Sequence, residues 1–130
     1  MPSTSEILKI GPLGESVVCK FLREHEYVIL ERNYRKIWGE IDIVAEKQGI
    51  THFFEVKTVS RESKKSAGRG IGPEENLHTR KIKRLDRAIQ SYLQEHKEAQ
   101  GGKWQLDAAM VWLDTAQKTA EIEVLENIGG

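Results

Sequence analysis

Two neighbouring segments, residues 40–46 (EIDIVAE) and 51–59 (THFFEVKTV), set charged side chains inside runs of β-branched and aromatic residues. That content reads as two strands. Lys47 to Ile50 joins them as a hairpin, with Gly49 as the turn residue. A Gln48–Gly49 loop pairs Lys47 with Ile50, so partner numbers sum to 97 and Asp42 stands opposite Glu55. A four-residue loop moves the sum to 95, and side-chain alternation still keeps both carboxylates on one face. A slip by one residue, or a bulge, would separate them. Lys57 lies two residues beyond Glu55 and shares its face.

Phe53, Phe54, Val56 and Val59 make the second of these strands a largely buried one. Burying Glu55 and Lys57 there is costly unless they are paired or bind something. Two close carboxylates repel each other, and a cation relieves that repulsion. Oxygen donors of this kind suit Mg²⁺ or Mn²⁺, which makes Asp42 and Glu55 the candidate metal ligands. An ion held there would stabilise charge developing on a phosphodiester and orient a water, with Lys57 holding that water or a phosphate oxygen. Taken alone, the short D…E-x-K pattern is more often that of a cross-strand salt bridge on a wet sheet face.

The remaining segments frame this hairpin. Residues 3–26 read as helical, with Ser3 and Glu6 as a capping box. Pro12 either kinks that helix or starts a second one. Leu13, Val17, Val18, Phe21 and Leu22 then form an apolar stripe. Tyr27 to Tyr34 reads as a strand, and Gly39 marks a turn or bulge. Residues 59–73, rich in Ser, Gly and Lys, read as a mobile basic loop. A helix over about 74–98 follows, with Ile82, Leu85, Ile89 and Tyr92 on one face. Residues 104–113 and 119–126 close the chain as strands. One domain of helix, three strands, helix and two strands implies an α/β fold, a mixed central sheet flanked by helices. Trp104 and Trp112 have equal strand parity and read as core. Trp38, beside Gly39 at a turn, is the tryptophan placed to stack on a base.

The 130 residues suit a single domain. No apolar run approaches the roughly 20 residues that span a bilayer, and MPSTSEILK does not read as a secretory signal, so the expectation is a cytoplasmic protein with no membrane partner. Cys19 is the only cysteine, and the four histidines lack zinc-like spacing. Net charge is zero but uneven. Residues 57–87 hold 10 basic and 4 acidic side chains, a local balance of +6. Such a field guides a polyanion to one face, and it is also what a solvated helix surface carries.

Several segments in order resemble one family: IGPLGE (10–15), YVILERN (27–33), GEIDIVA (39–45), FFEVKT (53–58), PEENLHTRKIKRL (73–85) and AIQSYL (88–93). Over most of its length the chain is similar to the YraN-like proteins, the UPF0102 family. That family in turn resembles the PD-(D/E)XK nucleases, with a restriction-endonuclease-like fold related to archaeal Holliday-junction resolvases. The resemblance implies a Mg²⁺- or Mn²⁺-dependent endonuclease acting on DNA, including branched DNA, with a binding module lacking catalysis as the alternative. It implies Asp42, Glu55 and Lys57 as the core motif and adds Glu15 from the first helix. Glu15 follows Gly14, where backbones can approach closely, and could reach an ion through water. Lys81 matches a basic family position, and with Arg80 and Arg84 could hold phosphates. Asp107 matches a later acidic position, but Gln105 stands where family members often carry arginine. Glu40 reads as a partner of Arg32 or Arg35. A symmetric cut at a junction would require a homodimer, which no heptad or evident apolar patch specifies.

Overall fold

The computed structural model describes residues 10–60, 79–97 and 102–128. Helix α1 (Ile10–Glu24) leads into strands β1 (Val28–Lys36), β2 (Gly39–Lys47) and β3 (Ile50–Ser60). Helix α2 (Thr79–Glu95) crosses to β4 (Lys103–Asp114), and β5 (Thr119–Leu125) follows. The five strands lie in sequence order in one sheet. Only β3 and β4 are parallel; the other three pairings are antiparallel. The intervening helix supplies the crossover that a parallel pair needs. The result is the expected α/β architecture, a mixed sheet flanked by helices.

The two helices cover opposite faces because strand side chains alternate. Val18, Cys19 and Leu22 of α1 pack with Ile43, Ala45, Phe54, Ala109 and Val111. Leu85, Ala88, Ile89, Tyr92 and Leu93 of α2 pack with Tyr34, Val44, Phe53 and Leu106. Adjacent residues of β3, Phe53 and Phe54, thus belong to different cores, as period two demands. Burial raises the pKa of the Cys19 thiol, the behaviour of a small hydrophobe in a core.

Several sequence expectations need correction. Leu13 is exposed, because α1 meets the sheet only from Gly14 onward. Val59 and Ser60 continue β3 rather than starting the basic loop. Trp104 is exposed and Trp112 half-buried. Trp104 touches Phe53 edge-on near the start of β4, where α2 no longer covers the sheet. Parity assigns a side chain to a face, not to the covered part of it. The Ser3–Glu6 capping box, most of the 59–73 loop and residues 74–78 lie outside the described residues. Arg80, Lys81 and Ile82 fall in the first turn of α2, their side chains outside the described structure.

Candidate metal and phosphodiester site

The hairpin turn decides the register around the site. Gln48 and Gly49 both have positive φ, 52° and 80°, the pair of left-handed conformations that defines a tight type I′ turn. Lys47 therefore pairs with Ile50, and the ladder runs to Ile43 opposite Phe54. All its partner numbers sum to 97, as the two-residue loop predicts. The ladder stops there, one step short of Asp42 and Glu55. The Val56 amide then donates not to a β2 carbonyl but to Asp42 Oδ2, at 2.7 Å. A side chain has replaced a backbone acceptor, and the strands part at that point.

A second irregularity sits across from it. Ile41 belongs to the α2-side core and Ile43 to the α1-side core, although their parity is equal. Asp42 thus stands where β2 changes face. The neighbouring Asn33 on β1 has a positive φ of 53°. Simple alternation fails here, yet the two carboxyl groups still meet, because Asp42 reaches across the gap between the parted strands. Residues of this kind at irregular strand positions are often re-aimed for function.

The electrostatics show how close the groups are. Burial first, then the Glu55 charge, raises the Asp42 pKa to about 8; the Val56 hydrogen bond opposes this, while the Glu15 charge and a hydrogen bond with Glu55 add to it. That hydrogen bond needs a proton on Asp42, since two carboxylates have none to share. Glu55 itself is buried. Glu15 is raised by burial, with Arg32 and Arg35 opposing, Glu40 reinforcing and a hydrogen bond from Asn33 lowering it. Glu15, Asp42 and Glu55 therefore share one electrostatic site drawn from α1, β2 and β3.

Gly14 is what lets α1 deliver Glu15. A Cβ at Gly14 would overlap the Thr58 side chain of β3. Only a residue with no side chain brings the helix this near the strand. Lys57 lies two residues beyond Glu55; alternation puts it on the same sheet face, half-buried.

Glu55 also opens onto a cleft of about 160 Å³ lined by Lys36, Gly39, Glu40, Arg84 and Leu85. That is room for a few waters or one phosphate group. Arg84 reaches this cleft from α2. Glu40 is held by Arg35, Nε to Oε2 at 3.1 Å, one of its two expected partners. The sequence offered no reason to include Asn33 or Lys36; a positive φ and a cleft wall are invisible without the fold.

The donor set suits a hard divalent cation. Two carboxylates within hydrogen-bonding reach carry the charge such an ion needs, and Mg²⁺ commonly takes one or two protein carboxylates and keeps its waters. Among the described residues no group of three or more His, Cys, Asp and Glu side chains is close enough to cage a metal, so water would complete the shell.

Asp107 lies elsewhere. It is fully buried, on the α1 face, and its carboxylate is saturated: His52 Nδ1 at 2.6 Å, Gln105 Nε2 at 2.8 Å and the Asn127 amide at 2.8 Å. Gln105 and Asp107 thus tie the C-terminal segment to the sheet and do not join the carboxyl pair.

The family model described as "Uncharacterised protein family UPF0102" matches residues 14–111, which spans Glu15, Asp42, Glu55 and Arg84. The chain belongs to the UPF0102 family. Three UPF0102 proteins illustrate the likeness. The one from Helicobacter hepaticus is 40% identical over 118 residues, 91% of this chain and 92% of the relative. The one from Moorella thermoacetica is 37% identical over 116 residues, 89% and 91% of the two chains. The one from Campylobacter lari is 33% identical over 118 residues, 91% of each. No helix among the described residues of this UPF0102 chain is long and apolar enough to cross a membrane.

Proposed function

We propose that this UPF0102 protein is a cytoplasmic, metal-dependent endonuclease of the PD-(D/E)XK type that hydrolyses phosphodiester bonds in DNA. The observation that carries the reading is the Asp42–Glu55 carboxyl pair, Glu55 buried and Asp42 half-buried at the point where β2 and β3 part, with Asp42 held by the Val56 amide. A fold does not keep a repelling pair in a cleft for stability; removing the charge would be less costly. A strongly perturbed carboxyl with a specific charge partner at the edge of a cleft marks a functional-site candidate.

Asp42 and Glu55 would hold Mg²⁺ or Mn²⁺. When bound, the ion supplies Lewis acidity toward a phosphate oxygen and stabilises developing charge. Asp42 would hold the ion as a carboxylate, its proton passing to solvent, and the Val56 amide would keep that carboxylate oriented. Glu15 would accept a hydrogen bond from a water on the α1 side and position it. Lys57 would compensate charge on the phosphate from the Glu55 face, and Arg84 would fix a neighbouring phosphate in the cleft. The family resemblance adds Arg80 and Lys81 to that phosphate-binding role.

Labelled linear, nicked and four-way-junction DNA incubated with Mg²⁺ or Mn²⁺ should be cut, and Asp42→Ala or Glu55→Gln should lose at least about a hundredfold in rate. Wild type indistinguishable from Asp42→Ala on every substrate would sink the reading. Paired symmetric cuts on a junction would further indicate a homodimer. A second reading, a binding module without catalysis, draws on the exposed Lys83, Arg84 and Arg87 of α2. Salt-sensitive DNA binding that survives Glu55→Gln, with no cleavage, would favour it.

A further inference from the structure

The β1–β2 hairpin ends in a two-residue tip, Ile37–Trp38, between the paired residues Lys36 and Gly39. Ile37 is 95% exposed and Trp38 43%. Tight turns ordinarily take Gly, Asn, Asp or Ser, and a lone exposed apolar side chain means little. The support beneath this tip gives it meaning. Trp38 Nε1 donates to Ser91 Oγ of α2 at 2.7 Å. Lys36 Nζ pairs with Glu95 at 3.1 Å, and Tyr34 hydrogen-bonds the same carboxylate. A Cβ at Gly39 would overlap the Arg84 carbonyl, so the strand lies against the helix backbone. Four contacts brace the hairpin while its most apolar atoms stay in water.

The tip also adjoins the site. Lys36 and Gly39, its two flanking residues, line the same cleft as Glu55 and Arg84. Arg84, Arg87 and Ser91 fall on one stripe of α2 by helical spacing, and Ser91 touches Trp38. Arg84 and Arg87 have no ion-pair partner among the described residues, so cationic groups flank the apolar tip. Apolar wedges of this sort enter between bases and unstack them while nearby basic groups hold the backbone.

We propose that Ile37–Trp38 is a wedge for a break in DNA base stacking, where duplex meets single strand or branches, and that it sets the cutting position. The proposal rests on the nuclease reading for its second half only. Asp42 lies three residues along β2 from Gly39, the last rung below the tip, and the tip adds about one more step, so the two stand about 13 Å apart at strand rise. That span corresponds to about four base steps of roughly 3.4 Å each.

A forked duplex with 2-aminopurine at the fork tests this with the full chain. In EDTA, wild type should raise the fluorescence about threefold on binding, as the probe base unstacks. Ile37→Ser, a fully exposed change, should remove that rise while keeping fork affinity within about threefold. With Mg²⁺, wild type should cut about four nucleotides from the fork, and Ile37→Ser should lose that fixed position. Unstacking without cleavage would leave the wedge standing and defeat the nuclease reading. Cleavage without unstacking, or Ile37→Ser matching wild type, would overturn the wedge. So would fork DNA failing to bind, or Ile37→Ser converting a sedimenting dimer to monomer, which would make the tip a protein interface.

Discussion

Asn in place of Asp42 mimics the protonated acid: it accepts from the Val56 amide and can donate to Glu55, but it cannot ionise. The substitution therefore isolates the cost of the buried charge. In wild type the Asp42 pKa moves from 3.8 to about 8 on folding. Between those values the folded protein holds a proton that the unfolded chain has released, so stability must fall as pH rises. The full shift would amount to roughly 6 kcal/mol at about 1.4 kcal/mol per pH unit. Asp42 keeps some contact with solvent, which screens the interaction, so a fall of about 2–3 kcal/mol is expected. Urea unfolding at pH 5, 6, 7, 8 and 9, compared with Asp42→Asn at each pH, measures it. The variant should gain on wild type steadily up to about pH 8 and then hold a constant lead. Mg²⁺ at pH 8 should then restore wild type by about 2–3 kcal/mol at 100 times its dissociation constant, and leave the variant unmoved. A stability difference that stays flat from pH 5 to 8 would refute the account of the carboxyl pair.

Three further outcomes follow from the packing. Gly14→Ala should cost about 1–3 kcal/mol by urea unfolding through overlap with Thr58, and adding Thr58→Ala should recover part of it. Asp107→Ala should cost about 3 kcal/mol or more, since it strands His52 and the Asn127 amide; calorimetry on the folded fraction should show Mg²⁺ affinity unchanged, and a lost affinity would tie Asp107 to the site after all. Tyr34→Phe should cost about 1–2 kcal/mol by removing the hydrogen bond to Glu95, with no effect if that contact is made only to water.

Much of this was legible in the chain itself. A Gln48–Gly49 loop predicted partner numbers that sum to 97 and a four-residue loop 95; both keep Asp42 and Glu55 on one face, and the positive φ of both turn residues selects 97. Residue content placed all seven described elements within a few residues, and Phe53 and Phe54 went to opposite cores by parity alone. Glu15 became a candidate through family resemblance, and the structure adds its physical reason, a glycine that lets α1 touch β3. Other features depended on distance along and across the sheet. Trp104 and Trp112 read as core because parity says nothing about where a covering helix stops. Asp42 meets Glu55 not as a ladder pair but across a gap where β2 changes face, which depends on the backbone of β1 and on a side chain standing in for a carbonyl. The sequence by itself determined which carboxylates could meet; tertiary structure decided that they meet largely out of water, beside Glu15 and a basic cleft. Register is local and follows from one turn, whereas burial and field sum over every element that packs around the site.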